Sequence, residues 1–155
     1  MQRVVVHQRV YDEFMGMLVP AVEALAVGDP LDEATDVSSL MTPSEVERVK
    51  GWIQEAVDQG ARLVAGGVTE DGRLRPTVLT DVTREMKVCA REMFGPVLSI
   101  LKARDLCEAI DISNDSEMGL QAGVFTRDLN QSLYAARRLE VGGVMINEVP
   151  TFRVD

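Results

Sequence analysis

The chain has 155 residues, 46% hydrophobic and 26% charged, with a formal net charge of −9 at pH 7. A chain of this length is one domain by default and can bury roughly 70% of its unfolded surface. The acidic balance excludes nucleic acid as a partner, because no excess of Lys and Arg exists to displace phosphate counterions, and it disfavours an anionic membrane surface.

No apolar run approaches the roughly 18 residues of a membrane helix, and Met1-Gln2-Arg3-Val4-Val5-Val6-His7 lacks the apolar core and small-residue cleavage site of a secretory signal. The expectation is a cytoplasmic protein without a membrane partner. Residues 4–6 read as a buried strand, with His7 at its end. A helix follows, with Val10, Phe14, Met17, Leu18, Ala21 and Leu25 on one stripe, closed by Gly28-Asp29-Pro30. Thr42-Pro43-Ser44-Glu45 has the form of a capping box: Thr42 accepts from the amide of residue 45, Glu45 reaches back, and Pro43 takes the first helical position. Val46, Val49, Ile53 and Val57 form the buried stripe of this helix, and Gly60 is its left-handed stop.

Residues 61–65 and 76–80 read as extended, and the apolar run 97–101 as a buried strand. Asp105 caps the next helix, on which Ile110 extends the apolar side. Residues 119–126 form a further strand, and Asp128 caps a helix carrying Leu129, Leu133, Ala136 and Leu139. Residues 141–146 are the last strand. Strands alternate with helices throughout, which argues for an α/β layer with parallel pairings. Cys89 and Cys107 give neither a disulfide framework nor a metal-ligand spacing, so no metal is expected and both read as packing residues.

One phrase stands out: Arg91-Glu92-Met93-Phe94-Gly95-Pro96-Val97 places a carboxylate and a ring at a Gly-Pro bend before a buried strand. It resembles the Glu-x-Phe-Gly-Pro-Val motif of NAD(P)-dependent aldehyde dehydrogenases. Other phrases resemble the same family in the same order. These are Gln2-Arg3-Val4, Val27-Gly28-Asp29-Pro30, Pro76-Thr77-Val78-Leu79, Asn114 through Gly119-Leu120, Val124-Phe125-Thr126, and Gly142-Gly143-Val144-Met145-Ile146-Asn147.

The resemblance implies a three-layer α/β domain with a mostly parallel sheet and helices on both faces, covering residues 1–155 as part of a catalytic domain, with the nucleotide-binding domain absent from it. It implies NAD or NADP as cofactor, a small aldehyde as substrate and a homo-oligomer. Glu92 is the implied acceptor for the nicotinamide-side ribose hydroxyls; an ionised carboxylate has two acceptor oxygens that suit a diol. Phe94 is the implied wall near the nicotinamide, and Phe152 the implied aromatic of the aldehyde tunnel. Asn147 is assigned no chemistry and is expected to satisfy loop backbone groups. In the family the nucleophilic cysteine lies a few residues ahead of the Gln-Arg-Val phrase, so the resemblance places it upstream of Met1. The chain alone is therefore expected to be inactive. An interaction module that kept the fold and lost the chemistry is the alternative.

Overall fold

The computed structural model describes residues 2–68 and 73–151. Four strands form the main sheet: β1 (Arg3–His7), β2 (Arg62–Val68), β3 (Leu74–Thr80) and β4 (Val97–Ala103), in the order β1-β4-β3-β2. β4 runs parallel to both β1 and β3, with Arg3 opposite Ser99 and Thr77 opposite Val97, while β2 is antiparallel to β3. Thus the starts of β1 and β4 lie side by side at one end of the sheet. A second, two-stranded parallel sheet pairs β5 (Gln121–Val124) with β6 (Gly143–Ile146).

Strand alternation sorts the core into two clusters on opposite faces of the main sheet. On one face, Val6, Val78 and Ile100 pack with Tyr11, Phe14, Met15, Leu18 and Val22 of α1 (Tyr11–Glu23). On the other, Leu79, Val97 and Leu101 meet Val49, Ile53 and Ala56 of α2 (Pro43–Asp58), Val88 and Cys89 of the short α3 (Lys87–Ala90), and Ile112 of α4 (Leu106–Asn114). This is the three-layer α/β arrangement, mostly parallel, with helices on both faces. α5 (Leu129–Arg138) connects β5 to β6 and packs on α4.

The helix ends follow the sequence closely. The Thr42 hydroxyl accepts from the Glu45 amide at 3.3 Å, with Pro43 opening α2. The reciprocal half of the box is not made, because Glu45 turns to Arg48 at 2.7 Å instead. Asp105 accepts from the Glu108 amide at 2.9 Å, and Asp128 from the amides of Asn130 and Gln131. Gly60 has φ +106° and stops α2 as expected. Gly66 has φ +86°, and a Cβ there would stand 2.1 Å from the Pro76 carbonyl oxygen, so the irregular β2–β3 pairing requires glycine.

The helix faces are less well foretold. In α1 the inward residues are Tyr11, Phe14, Met15, Leu18, Val19 and Val22, while Val10 and Met17 are exposed: the helix is rotated by about one residue from the expected stripe. Val57 is at the edge of exposure and Ala56 takes its place inside. α5 buries Ser132 and Ala135, leaving Leu129 and Leu133 outside. Periodicity finds such helices, but the angle at which each crosses its neighbour chooses the face. α3 has only four residues, too few to carry a periodic signal, and no local pattern foretells it.

Candidate functional site

The Glu92 segment connects α3 to β4 at the end of the sheet where β1 also starts. Its centre is Met93, 1% exposed and packed into the core with Val88 and Val97. Both backbone groups of Met93 are held by side chains: its amide donates to Gln2 Oε1 at 2.9 Å, and its carbonyl accepts from Arg48 Nη2 at 2.8 Å. The residues on either side face outward. Glu92 is exposed, and Phe94 is 72% exposed with φ +45°. A left-handed backbone costs a non-glycine residue on the order of 1–2 kcal/mol, and phenylalanine has no polar group to offset it. A strained, solvent-facing aromatic ring is unfavourable for folding alone, which makes the segment a candidate site.

Gly95 and Pro96 serve the backbone path. The Val97 amide donates to the Gly95 carbonyl at 2.8 Å, and the Thr77 amide to the Pro96 carbonyl at 2.7 Å, which starts the β3–β4 ladder. Gly95 lies against Val49, where a Cβ would meet Cγ2 at 3.2 Å. Beside the bend, Pro76, Thr77, Gly95, Pro96, Val22 and Leu25 line part of a shallow apolar hollow of about 220 Å³.

The arginines near Glu92 are engaged elsewhere. Arg84 pairs with Asp115 at 3.4 Å and Arg91 with Glu117 at 3.8 Å. Arg3 donates to the carbonyls of Ile112, Ser113 and Asp115 at the end of α4. Among the described residues, the Glu92 carboxylate has neither an ion pair nor a hydrogen bond. It is an available anionic acceptor next to an available ring. That fits a flat, hydroxyl-bearing ligand such as the ribose and nicotinamide of a dinucleotide.

The thiols do not join this cluster. Cys89 is 3% exposed, and burial pushes its pKa up despite a hydrogen bond with Ser99; a desolvated thiol is a poor nucleophile. Cys107 is exposed on α4, with its sulfur 3.7 Å from the Tyr134 hydroxyl. α4 follows the far end of β4, roughly 20 Å along the strand from the Glu92 segment at about 3.3 Å per residue. A larger hollow of about 360 Å³ lies between α4 and α5, lined by Asp111, Asn114, Arg137 and Arg138 among others, and includes none of the residues the sequence singled out for a role.

Asn147 does what was expected of it: at φ +57°, its Oδ1 accepts from the Thr126 amide at 2.9 Å, and its own amide donates to the Val124 carbonyl. Phe152 lies outside the described residues. Among those described, no group of three His, Cys, Asp or Glu could hold a metal ion, and no helix is long and apolar enough to cross a membrane. Sequence reasoning missed Gln2 and Arg48. Gln2 counted only as part of a phrase and Arg48 was given no role; partners 91 and 45 positions away leave no local trace.

Comparison with known proteins bears on the same fold. The sequence pattern of the aldehyde dehydrogenase family matches residues 1–155. A 3-sulfolactaldehyde dehydrogenase of Priestia aryabhattai is 44% identical over 154 residues, 99% of this chain and 32% of the relative. A lactaldehyde dehydrogenase of Methanococcus aeolicus is 44% identical over 153 residues, 99% of this chain and 33% of the relative. The chain thus spans about a third of the length of these relatives. Among solved structures, aldehyde dehydrogenase 21 from Physcomitrella patens, in complex with the reaction product succinate, superposes with a TM-score of 0.95 at 40% identity, over 99% of this chain and 32% of that one. Glyceraldehyde-3-phosphate dehydrogenase from Methanocaldococcus jannaschii, complexed with NADP, gives 0.93 at 38% identity, over 99% and 33%. With the family pattern running its whole length, and with relatives and solved structures that agree in fold and sequence, this chain belongs to the aldehyde dehydrogenase family.

Proposed function

We propose that this chain is the part of an NAD(P)-dependent aldehyde dehydrogenase catalytic domain that holds the nicotinamide side of the cofactor and contributes to the aldehyde site. The observation that carries the reading is the unpaired Glu92 carboxylate beside the exposed, left-handed Phe94. Glu92 accepts from the ribose hydroxyls, Phe94 flanks the nicotinamide, and Phe152 lines the aldehyde tunnel. When bound, the nicotinamide takes up the hydride released by the aldehyde carbon. The parent enzyme oxidises an aldehyde to a carboxylic acid through a cysteine thioester. In this reading the cysteine and the nucleotide-binding domain belong to the rest of the parent protein, and this chain alone does not turn over. Parallel pairing of β1 with β4 supports the reading, because a nucleophile carried just ahead of β1 approaches the same end of the sheet as Glu92.

Lactaldehyde, 3-sulfolactaldehyde and glyceraldehyde 3-phosphate, named for three relatives, are all short 2-hydroxyaldehydes. This supports a substrate of that class. The test is Glu92→Gln in the full-length parent. The change keeps shape and removes charge, and single-turnover hydride transfer should fall on the order of tenfold or more, as for a lost charge-assisted hydrogen bond. Unchanged transfer together with unchanged NAD(P) affinity would reject the role. Comparing lactaldehyde with propanal tests the substrate class: equal kcat/KM removes it.

A further inference from the structure

We propose that Gln2 and Arg48 are positioning residues, which grip the two backbone groups of Met93 and thereby fix where Glu92 and Phe94 stand. The inference rests on the cofactor role given to Glu92 and deepens it. Residue 93 lies outside every helix and strand, so no regular ladder holds it. Two side chains replace the ladder: Gln2 Oε1 takes the amide at 2.9 Å, and Arg48 Nη2 takes the carbonyl at 2.8 Å.

Gln2 does more than hold one group. Its Nε2 also donates to the carbonyl of Val88 at 2.9 Å and to that of Arg91. One primary amide therefore ties the end of α3 and the segment after it to the start of β1. Arg48 is itself held in place. Its Nε and Nη2 donate to Glu45 Oε2 at 3.0 and 2.7 Å, and its guanidinium lies over the Trp52 ring at 4.8 Å from the centroid. A stacked, carboxylate-paired guanidinium has little freedom left to lose, so its remaining donor is preorganised for Met93.

The consequence for the site is geometric. The Met93 side chain is fixed inward by burial and its backbone by the two bonds. Glu92 and Phe94 are then held outward on either side of it. Strained backbone conformations persist where the surroundings over-determine them. The grip on Met93 and the contact of Gly95 with Val49 supply that constraint for Phe94. Neither Gln2 nor Arg48 is assigned a ligand contact; both act through Met93.

Two readouts test this. In this chain, Gln2→Ala removes the acceptor for the Met93 amide. Hydrogen exchange in a peptide covering residues 88–96 should speed up by on the order of tenfold relative to one covering residues 74–80. Equal rates in the two peptides would overturn the grip, whatever the enzyme does. In the full-length parent, Gln2→Met removes the acceptor for the Met93 amide and both donated bonds while keeping side-chain length, and Arg48→Met removes the donor while keeping side-chain bulk near Trp52. Each should raise KM for NAD(P) by several-fold, leave KM for the aldehyde unchanged, and Arg48→Lys should recover part of the loss. A merely structural role would lower the active fraction, and so kcat, without moving the cofactor KM. If Glu92→Gln raises the cofactor KM while Gln2→Met and Arg48→Met do not, the positioning role fails and the Glu92 role stands. If Glu92→Gln changes neither single-turnover hydride transfer nor NAD(P) affinity, the cofactor reading fails and this inference with it.

Discussion

The four-stranded sheet and the β5-α5-β6 unit have the same chemistry of construction and opposite states of completion. In the sheet, Leu74, Val78, Leu79, Val97 and Ile100 are each no more than 2% exposed, with helices covering both faces. In the β5-α5-β6 unit no strand residue is fully buried, and Leu120, Phe125, Leu129 and Leu133 are 84, 68, 73 and 48% exposed. α5 is nonetheless well formed, with its Asp128 cap and with Arg137 and Arg138 in the last turn. Local signals suffice to make a helix, whereas a core needs a second surface to close it. The β5-α5-β6 unit presents apolar surface that the described residues do not cover, and the Glu92 segment sits on the completed side.

The strongest way to break that comparison is to delete packing in each region. Leu79→Ala removes a fully buried side chain and should cost about 2–5 kcal/mol, enough to threaten a marginally stable domain. Leu133→Ala, half exposed on α5, should cost less than about 0.5 kcal/mol. Urea unfolding measures both. Comparable losses that persist on dilution would mean that α5 is covered by the chain's own residues; losses that fade on dilution would mean that a second copy covers it.

A second test asks what covers the open region. Exposed apolar patches beyond a few hundred Å² are uncommon on stable monomers, and strand edges offer unpaired N–H and C=O groups. We expect a dimer or larger species at micromolar concentration, weakened by Leu129→Ser with Leu133→Ser. The net charge of −9 opposes association, but salt screens it over roughly 8 Å at physiological strength. Sedimentation velocity at low and high salt decides; a monomer in both would show that the unit closes on itself.

The thiols give the smallest and most local contrast. Cys107 on α4 should react with an aromatic disulfide reagent in the folded chain, and Cys89 only after unfolding. Burial raises the Cys89 pKa, so the fold keeps this thiol neutral to a higher pH than the unfolded chain does. Above about pH 8.5, the ordinary cysteine value, unfolding releases a proton. The stability this thiol contributes is therefore complete below that pH and declines as pH rises through the folded pKa. Cys89→Ala should flatten the alkaline fall in the urea midpoint; an identical pH profile would mean that the thiol does not titrate with folding.

Some of this molecule was written locally. The caps at Thr42, Asp105 and Asp128, the stop at Gly60 and the order of the strands and of every helix but α3 depend on neighbours within a few residues, so the sequence alone determined them. The Glu92-x-Phe94-Gly95-Pro96 phrase is equally local, and its likeness to the aldehyde dehydrogenases pointed to the family that the whole chain matches. Only the tertiary structure decided which side of each helix is buried, because a stripe of apolar residues is wide enough to allow a rotation of one position. It alone decided that Arg84 and Arg91 turn away from Glu92, that Phe94 takes a left-handed backbone, and that Gln2 and Arg48 meet at Met93. Each of these depends on groups far apart in the chain, which become neighbours only when β1 and β4 lie side by side and α2 packs across them.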